Sequence, residues 1–389
     1  MGIIYISSLW TGIKPFFTKG SPKNSGMPAF YEVFIRLLNN EKVDKIYIIF
    51  VSENSNFQIP EEYTHKIEVF HIPSSSGVRL LVNTINALII IRKIVRKTNI
   101  SCIYGCGPIA GIAGIAGILF NVKCVRRLYG TFLINKLSDS KFKLFIDQPY
   151  EYLSFSLKAN RIFITNDGTH GDEVYKKIGN KKLGLDFLIN GIDKNPQFED
   201  ISNMKFLNHS KYVTYIARFD PWKRQHLFVE IINMAALKEL RIPAYIIGQV
   251  CDFEYYNEVV ALIKKYKLED IITIIPGLPK NQINTILHGS VCSFSLYNTS
   301  NLGNVFLEGL SLGVPMIGFN VNDSLKYLDS NCFVSVDDGD VVSASEKLEE
   351  LWTNAEKRDE LSQKAYQYAN LNLLSWEERA NIEIDAILN

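Results

Sequence analysis

What the chain lacks narrows it first. Its six cysteines, Cys102, Cys106, Cys124, Cys251, Cys292 and Cys332, form no CxxC pair, so they are expected to be reduced and structural, in the cytosol. An excess of either charge is also missing. Lys plus Arg number 42 against 41 Asp plus Glu, which excludes a polyanion-wrapping nucleic-acid binder. The stretch MGIIYISSLW has no basic leader and no cleavage site, and is expected to be a buried first strand, not a signal peptide. One uncharged run of bilayer length does occur, IYGCGPIAGIAGIAGILFNV at 103–122. Gly105, Gly107, Pro108, Gly111, Gly114 and Gly117 punctuate it, and a strand-like run leads into it. A strand, a glycine turn and a small-residue helix account for the same letters, and that reading is preferred over a membrane span.

What is present suits a cytoplasmic α/β protein. With 389 residues, the chain calls for two domains of roughly 180 residues each. Apolar residues at 47% and charged residues at 21% give each half enough for a core. Strand-like runs (GIIYISSL, KIYIIFVS, IEVFHIP, SCIYGCG, KCVRRLYG, RIFITND) alternate with helical ones in the first half. The alternation restarts with YVTYIAR and continues to CFVSV after a polar linker at 190–210. The expectation is two Rossmann-like, doubly wound domains facing a central cleft, with ligands at the C-terminal ends of the strands. LLSWEERANIEIDAIL reads as an amphipathic terminal helix.

Two motifs carry chemistry. In RFDPWKR (218–224), Arg218 follows a strand, Asp220 is placed to cap a helix, and Pro221 is placed at its first position. Lys223 then projects from the first turn, and a guanidinium with an ammonium at a helix N-terminus suits a diphosphate. In TSNLGNVFLEGLSLGVPMIG (299–318), Gly303 and Asn304 open a short helix whose backbone N–H groups can meet a phosphate. Glu308, one turn further in, would repel a diphosphate but can accept from the two hydroxyls of a ribose. The alternative is that it only complements the helix dipole. Together the two motifs describe a nucleoside diphosphate site.

RFDPWKR followed by GNVFLEGLSLGVPMIG resembles the retaining glycosyltransferases of family 4 (glycosyl transferases group 1), with the GT-B fold. NGID at 190–193 and SWEERANIEI near the C-terminal end are similar to the family's interdomain segment and returning helix. The resemblance implies an acceptor-binding domain at 1–189 and a nucleotide-sugar donor domain at 190–370. It also implies a helix at 371–389 crossing back to the first domain. Arg218 and Lys223 would grip the donor diphosphate, Glu308 the ribose, and Gly303 with Asn304 would add backbone contacts. Gly277 would line the base, and Gly26 would approach the phosphates from the other domain.

Two departures stand out. The family's second acid would fall at Ser300, leaving Ser300, Asn301 or Asn298 to meet the transferred sugar. On the loop where many relatives carry a histidine, this chain has Tyr129, Gly130 and Thr131. His170, in NDGTHGDE, is the first-domain histidine in a plausible cleft loop, although a solvated loop histidine is the preferred reading. The implied activity is metal-independent transfer of a hexose from a UDP- or GDP-sugar to a glycan or lipid-linked acceptor, with retention. Surface polysaccharide or glycoconjugate synthesis is the expected setting.

No cofactor and no metal are expected. DDGD at 337–340 reads as a helix cap through Asp338 or Asp340. Rival readings are a nucleotide-sugar epimerase, a binding-only relative, and an NADP-dependent oxidoreductase built on GCGPIA with Arg126 and Arg127 receiving a 2′-phosphate. A peripheral contact with the inner face of the cytoplasmic membrane is a further expectation. It rests on Arg92 to Lys97 and on an aromatic loop of Trp10, Phe16 and Phe17 with Lys14.

Overall fold

The computed structural model describes residues 1–9, 13–18, 28–53, 56–74, 78–131, 133–180 and 184–389. Gly26 and Trp10 lie outside them. The chain divides into two compact units, Met1–Gly191 with Trp376–Asn389, and Ile192–Ser375.

In the first unit the elements run β1 (Gly2–Ser7), α1 (Lys14–Thr18), α2 (Pro28–Asn39), β2 (Lys45–Ser52), β3 (Ile67–Pro73) and α3 (Val78–Lys97). Next come β4 (Ile100–Cys106), α4 (Ala110–Phe120), β5 (Cys124–Leu128), α5 (Lys141–Asp147), α6 (Pro149–Ser156), β6 (Arg161–Asn166), α7 (Gly171–Ile178) and β7 (Gly184–Ile189). Among the described residues they build a seven-stranded parallel sheet ordered β3-β2-β1-β4-β5-β6-β7. Strands such as GIIYIS and CVRRL are buried along their whole length, because helices cover both faces of a parallel sheet. Ile103 of β4 faces one layer with α3 and α4, while Cys102, Tyr104 and Cys106 face the other with α2.

The uncharged run is a strand and a short helix, and among the described residues no helix is long and apolar enough to cross a membrane. Its glycines are packing sites. A Cβ on Gly105 would stand 2.6 Å from that of Ala113, and one on Gly117 would stand 2.8 Å from that of Cys124. The cysteines are free thiols, with Cys251 alone exposed.

The second unit runs β8 (Val213–Ile216), α8 (Gln225–Leu237), β9 (Ala244–Ile247), α9 (Phe253–Lys265), β10 (Ile272–Ile275) and α10 (Lys280–His288). It continues with β11 (Ser293–Ser295), α11 (Asn304–Ser311), β12 (Met316–Phe319), β13 (Val334–Val336), α12 (Val341–Thr353) and α13 (Ala355–Asn372). Its parallel sheet is ordered β10-β9-β8-β11-β12-β13. The order reverses between β8 and β11, and the loops leaving those two strands open a crevice at the carboxyl edge.

The last helix, α14 (Trp376–Leu388), packs in the first unit. It carries Glu383, fully buried, whose Oε2 accepts from the Tyr104 hydroxyl at 2.6 Å. Its Oε1 lies 3.2 Å from Arg127 Nη1 and 2.5 Å from Arg379 Nη1.

Burial in this unit overturns one rival reading and one sequence expectation. Arg127 is committed to Glu383. Arg126 is equally buried, donating to the carbonyls of Leu153 and Leu157, so neither can greet a 2′-phosphate. Phe16 and Phe17, assigned to a membrane-facing loop, are core residues packed on Phe34. Buried aromatic area on α1 stabilises the sheet face and leaves none for a lipid.

Candidate functional site

Both chemical motifs of the second unit fall at the switch point. β8 ends at Ile216, and Arg218 lies two residues on, exposed, with Nη2 3.6 Å from Asp220 Oδ2. The expected helix start needs correcting. Pro221–Lys223 form a single 3-10 turn, and Arg224 turns the chain through a left-handed conformation at φ 55 before α8 begins at Gln225. Asp220 therefore makes no side-chain cap, and Lys223 precedes α8.

The detour places the Lys223 ammonium between two rings, 3.6 Å from the centroid of Trp222 and 3.4 Å from that of Tyr297. Aromatic faces attract the cation. Desolvation there, with the Arg218 charge adding to it, still lowers the Lys223 pKa to about 7, against a smaller opposing pull from Asp220. The group is thus poised between charge states at neutral pH.

Tyr297 lies at the start of the loop that leaves β11, so the loops after β8 and β11 meet at this lysine. The Asn298 N–H donates to the Trp222 carbonyl at 3.1 Å, joining the same two loops through the backbone. Asn301 pins the turn. It is fully buried, and its Oδ1 accepts from the Tyr297 N–H and the Ser295 hydroxyl, each at 2.8 Å. Its Nδ2 donates to the carbonyls of Phe319 at 2.7 Å and Tyr297 at 3.1 Å. Both ends of the amide are engaged, so Asn301 is a loop anchor and not the sugar contact the sequence suggested. Ser300 is also buried, accepting from the Leu302 N–H at 3.2 Å.

Gly303 caps α11 with φ −107, a conformation open to any residue. A Cβ there would meet only Tyr297, at 3.8 Å. Nothing in the protein demands glycine at that point. The first N–H groups of a helix are not used by the helix's own hydrogen-bond ladder, and here they belong to the first turn of α11. Glu308, mostly buried, forms an ion pair with Lys280 of α10, 2.5 Å between Nζ and Oε2.

Gly277, after β10, has φ +110, where a side chain would be strained. Sequence reasoning missed Lys280, Trp222, Tyr297 and Gly248. A Cβ on Gly248 would fall 1.9 Å from the Ala217 carbonyl oxygen, so only glycine lets the end of β9 lie against the segment that carries Arg218. The signal was a glycine directly after AYII.

In the first unit, Gly130 and His170 come together at the carboxyl ends of β5 and β6. The Thr131 N–H donates to Thr169 Oγ1 at 3.0 Å. Gly130 adopts φ +112, with Asp167 Oδ2 only 2.3 Å from where its Cβ would stand. Burial raises the Asp167 carboxyl, opposed by its bonds to the hydroxyl and N–H of Thr169. His170 is 5% exposed, with Nδ1 3.4 Å from Glu173 Oε1, which corrects its reading as a solvated histidine. Tyr129 packs edge-on against Phe30 at 4.5 Å and beneath the Arg127 guanidinium.

Of the DDGD carboxylates, Asp340 caps α12 through the Ser343 N–H at 3.0 Å, and Asp338 pairs with Arg224. Among the described residues no three His, Cys, Asp or Glu side chains are grouped to hold a metal.

Two parallel-sheet Rossmann-like units make up a GT-B fold, with basic groups and a helix N-terminus at the second unit's switch point. Residues 197–368 match the family model of glycosyl transferases group 1.

Similar solved structures include Anabaena HepE in complex with UDP and glucose, with 13% identity, 99% of this chain and 100% of that one covered, and a TM-score of 0.70. Sucrose-phosphate synthase from Thermosynechococcus elongatus is 12% identical over 99% and 98% of the two chains, with a TM-score of 0.70. WaaG, a glycosyltransferase involved in lipopolysaccharide biosynthesis, is 13% identical over 98% and 99%, with a TM-score of 0.68. These likenesses establish the fold. No curated protein matches the chain by sequence.

Proposed function

We propose that the chain is a retaining, metal-independent glycosyltransferase that moves a hexose from a UDP- or GDP-sugar to a glycan or lipid-linked acceptor. The observation that carries the donor half is the convergence at the β8/β11 switch point. Arg218 and the caged Lys223 lie on the loop after β8, and the N-terminus of α11, with the carboxylate of Glu308 one turn in, follows the loop after β11. A diphosphate would pair with Arg218 and Lys223 and lie across the α11 N–H groups, and the ribose hydroxyls would donate to Glu308. HepE has been solved with UDP-glucose, which makes UDP the first nucleotide to try.

In the reaction, the bond between the anomeric carbon and the diphosphate oxygen breaks while the acceptor oxygen bonds to the same face of that carbon. The leaving diphosphate takes the acceptor proton. Arg218 and Lys223 offset the charge that develops on it, the kind of preorganised electrostatics that dominates many enzymes. Gly130 and His170 are the acceptor-side candidates, with Tyr129 a support behind them. Surface polysaccharide or glycoconjugate assembly in the cytoplasm is the setting this reaction suits.

The test is calorimetric titration with UDP, GDP and ADP, followed by Lys223→Ala and Glu308→Gln. One nucleotide should bind and both substitutions should weaken it. Binding of none, or binding indifferent to both, would sink the donor site.

A further inference from the structure

Between Glu68 and Asp139 the sequence contains no acid at all, yet it carries nine Lys or Arg. Three of those basic residues are buried or partly buried on β5 and the strand entering it. Most of the remainder lie on α3, a helix with no Asp or Glu anywhere in it.

The outer face of α3 is apolar where a soluble surface would be polar. Leu81 is 62% exposed, Val82 51%, Ile85 49% and Ile89 47%. Leu81, Ile85 and Ile89 fall four residues apart, on one stripe. Arg92 and Arg96 continue that stripe toward the C-terminal end, all at helical spacing. Arg92, Lys93, Arg96 and Lys97 are exposed and, among the described residues, make no ion pair.

A second apolar surface stands beside the first. Thr84 of α3 is hydrogen-bonded to Tyr150 of α6, and Phe145 of α5 packs on Tyr152 of α6 at 5.6 Å. α6 therefore ties α5 to the N-terminal half of α3. α5 exposes Phe142 (74%) and Ile146 (60%), flanked by Lys141. The acids nearest to it are engaged, Asp147 with Lys136 and Asp139 with Lys143. α3, α4 and α6 all run back from the carboxyl edge of the sheet, so the N-terminal half of α3 and α5 sit at the same edge as Gly130 and His170.

We propose that this face of the first unit docks on an anionic lipid bilayer. Phe142, Ile146 and the Leu81–Ile89 stripe would enter the headgroup region, and the unpaired arginines and lysines would pair with lipid phosphates. Single exposed apolar residues need no explanation, but a contiguous run on adjoining helices does. Charge decides the occupant. A second copy meeting this face through a two-fold axis would set one acid-free, basic α3 against another, which repels. A bilayer of phosphatidylglycerol supplies both the apolar slab and the opposite charge. The inference does not depend on the donor site.

The experiment is sedimentation of the full chain with vesicles of phosphatidylcholine alone and of phosphatidylcholine with phosphatidylglycerol, at low and raised salt. The chain should pellet with the anionic vesicles, and raised salt should weaken the binding. Arg92→Gln with Arg96→Gln should lower the affinity by about fivefold per charge. Phe142→Ser with Ile85→Ser, both exposed positions, should reduce it further while leaving the thermal melt and nucleotide binding unchanged. Failure to pellet with anionic vesicles at low salt would overturn the proposal, as would binding that ignores both pairs of substitutions. Self-association abolished by Ile85→Ser, without vesicle binding, would assign the face to a second copy and overturn it as well.

Discussion

Lys280 of α10 and Glu308 of α11 form an ion pair 2.5 Å long at the mouth of the helix proposed to receive the nucleotide. The carboxylate that would accept from a ribose is therefore already engaged by a neighbouring helix. The lysine side chain is half exposed while Glu308 is 14% exposed, so the lysine is the partner free to swing away.

Ribose and Lys280 would compete for that carboxylate. Lys280→Ala should therefore tighten binding of the nucleoside diphosphate by about two- to fivefold, the worth of a partly exposed pair. Glu308→Gln should weaken it by about tenfold or more, since a charge-assisted acceptor is lost. Calorimetry on the two variants separates the roles, and equal weakening in both would mean that Lys280 itself holds the ligand.

Lys223, with its pKa lowered to about 7 by desolvation and the Arg218 charge, gives a pH signature. A bound diphosphate favours the ammonium, so above pH 7 binding should draw up to one proton from the buffer. Titrations at pH 8 in two buffers of different ionisation enthalpy should give different observed heats. The difference should vanish in Lys223→Ala, with affinity falling by about 10- to 100-fold.

The same lysine leaves a mark on stability. Its folded pKa of about 7 lies below its ordinary 10.5, so between those values the unfolded chain holds the extra proton. The sign follows from linkage: this group's contribution to stability rises with pH from about 7 toward 10.5, and below 7 it is flat. Urea denaturation at a series of pH values, wild type against Lys223→Met, isolates the contribution. A slope unchanged in the variant would assign the pH dependence elsewhere.

Glu383 is buried with two arginines and the Tyr104 hydroxyl on its two oxygens. Glu383→Ala would leave both guanidinium groups without a counter-charge, and should destabilise the first unit by about 3–5 kcal/mol. A thermal melt reads this directly, and a loss within ±0.5 kcal/mol would show that water reaches the arginines.

Gly248→Ala puts a methyl group 1.9 Å from the Ala217 carbonyl oxygen, where only backbone can yield. The expected cost is about 1–3 kcal/mol, with nucleotide affinity falling too because the segment before Arg218 shifts. Intact affinity would show that β9 and the Arg218 loop move independently.

How much of this was legible differs by layer. The alternation of runs such as KIYIIFVS and AYIIGQV gave the parallel α/β plan, because strands covered on both faces must be apolar throughout. β7 (GLDFLI) escaped notice, lying at a sheet edge where burial is only partial. RFDPWKR announced its charges correctly but not their setting. The left-handed Arg224 and the ring contributed by Tyr297 come from tertiary packing some seventy residues away, and no local spacing encodes that. Arg126 and Arg127 could be read as receivers of a 2′-phosphate because their partners, the Leu153 carbonyl and Glu383, are distant in sequence. Asn301 could pass for a ligand contact because a side chain that can bind a sugar can equally tie a loop.

The buried carboxylate of Glu383 also dictates an order of events during synthesis. It meets Tyr104 across 279 residues of sequence, and the whole of the second unit is made in between. While the ribosome works through residues 192–375, the first sheet has already emerged with Arg127 lacking its counter-charge and the seat of α14 unfilled. Domains generally fold as they appear. Here the unit that begins first must wait for residues 376–389, and the second can finish ahead of it.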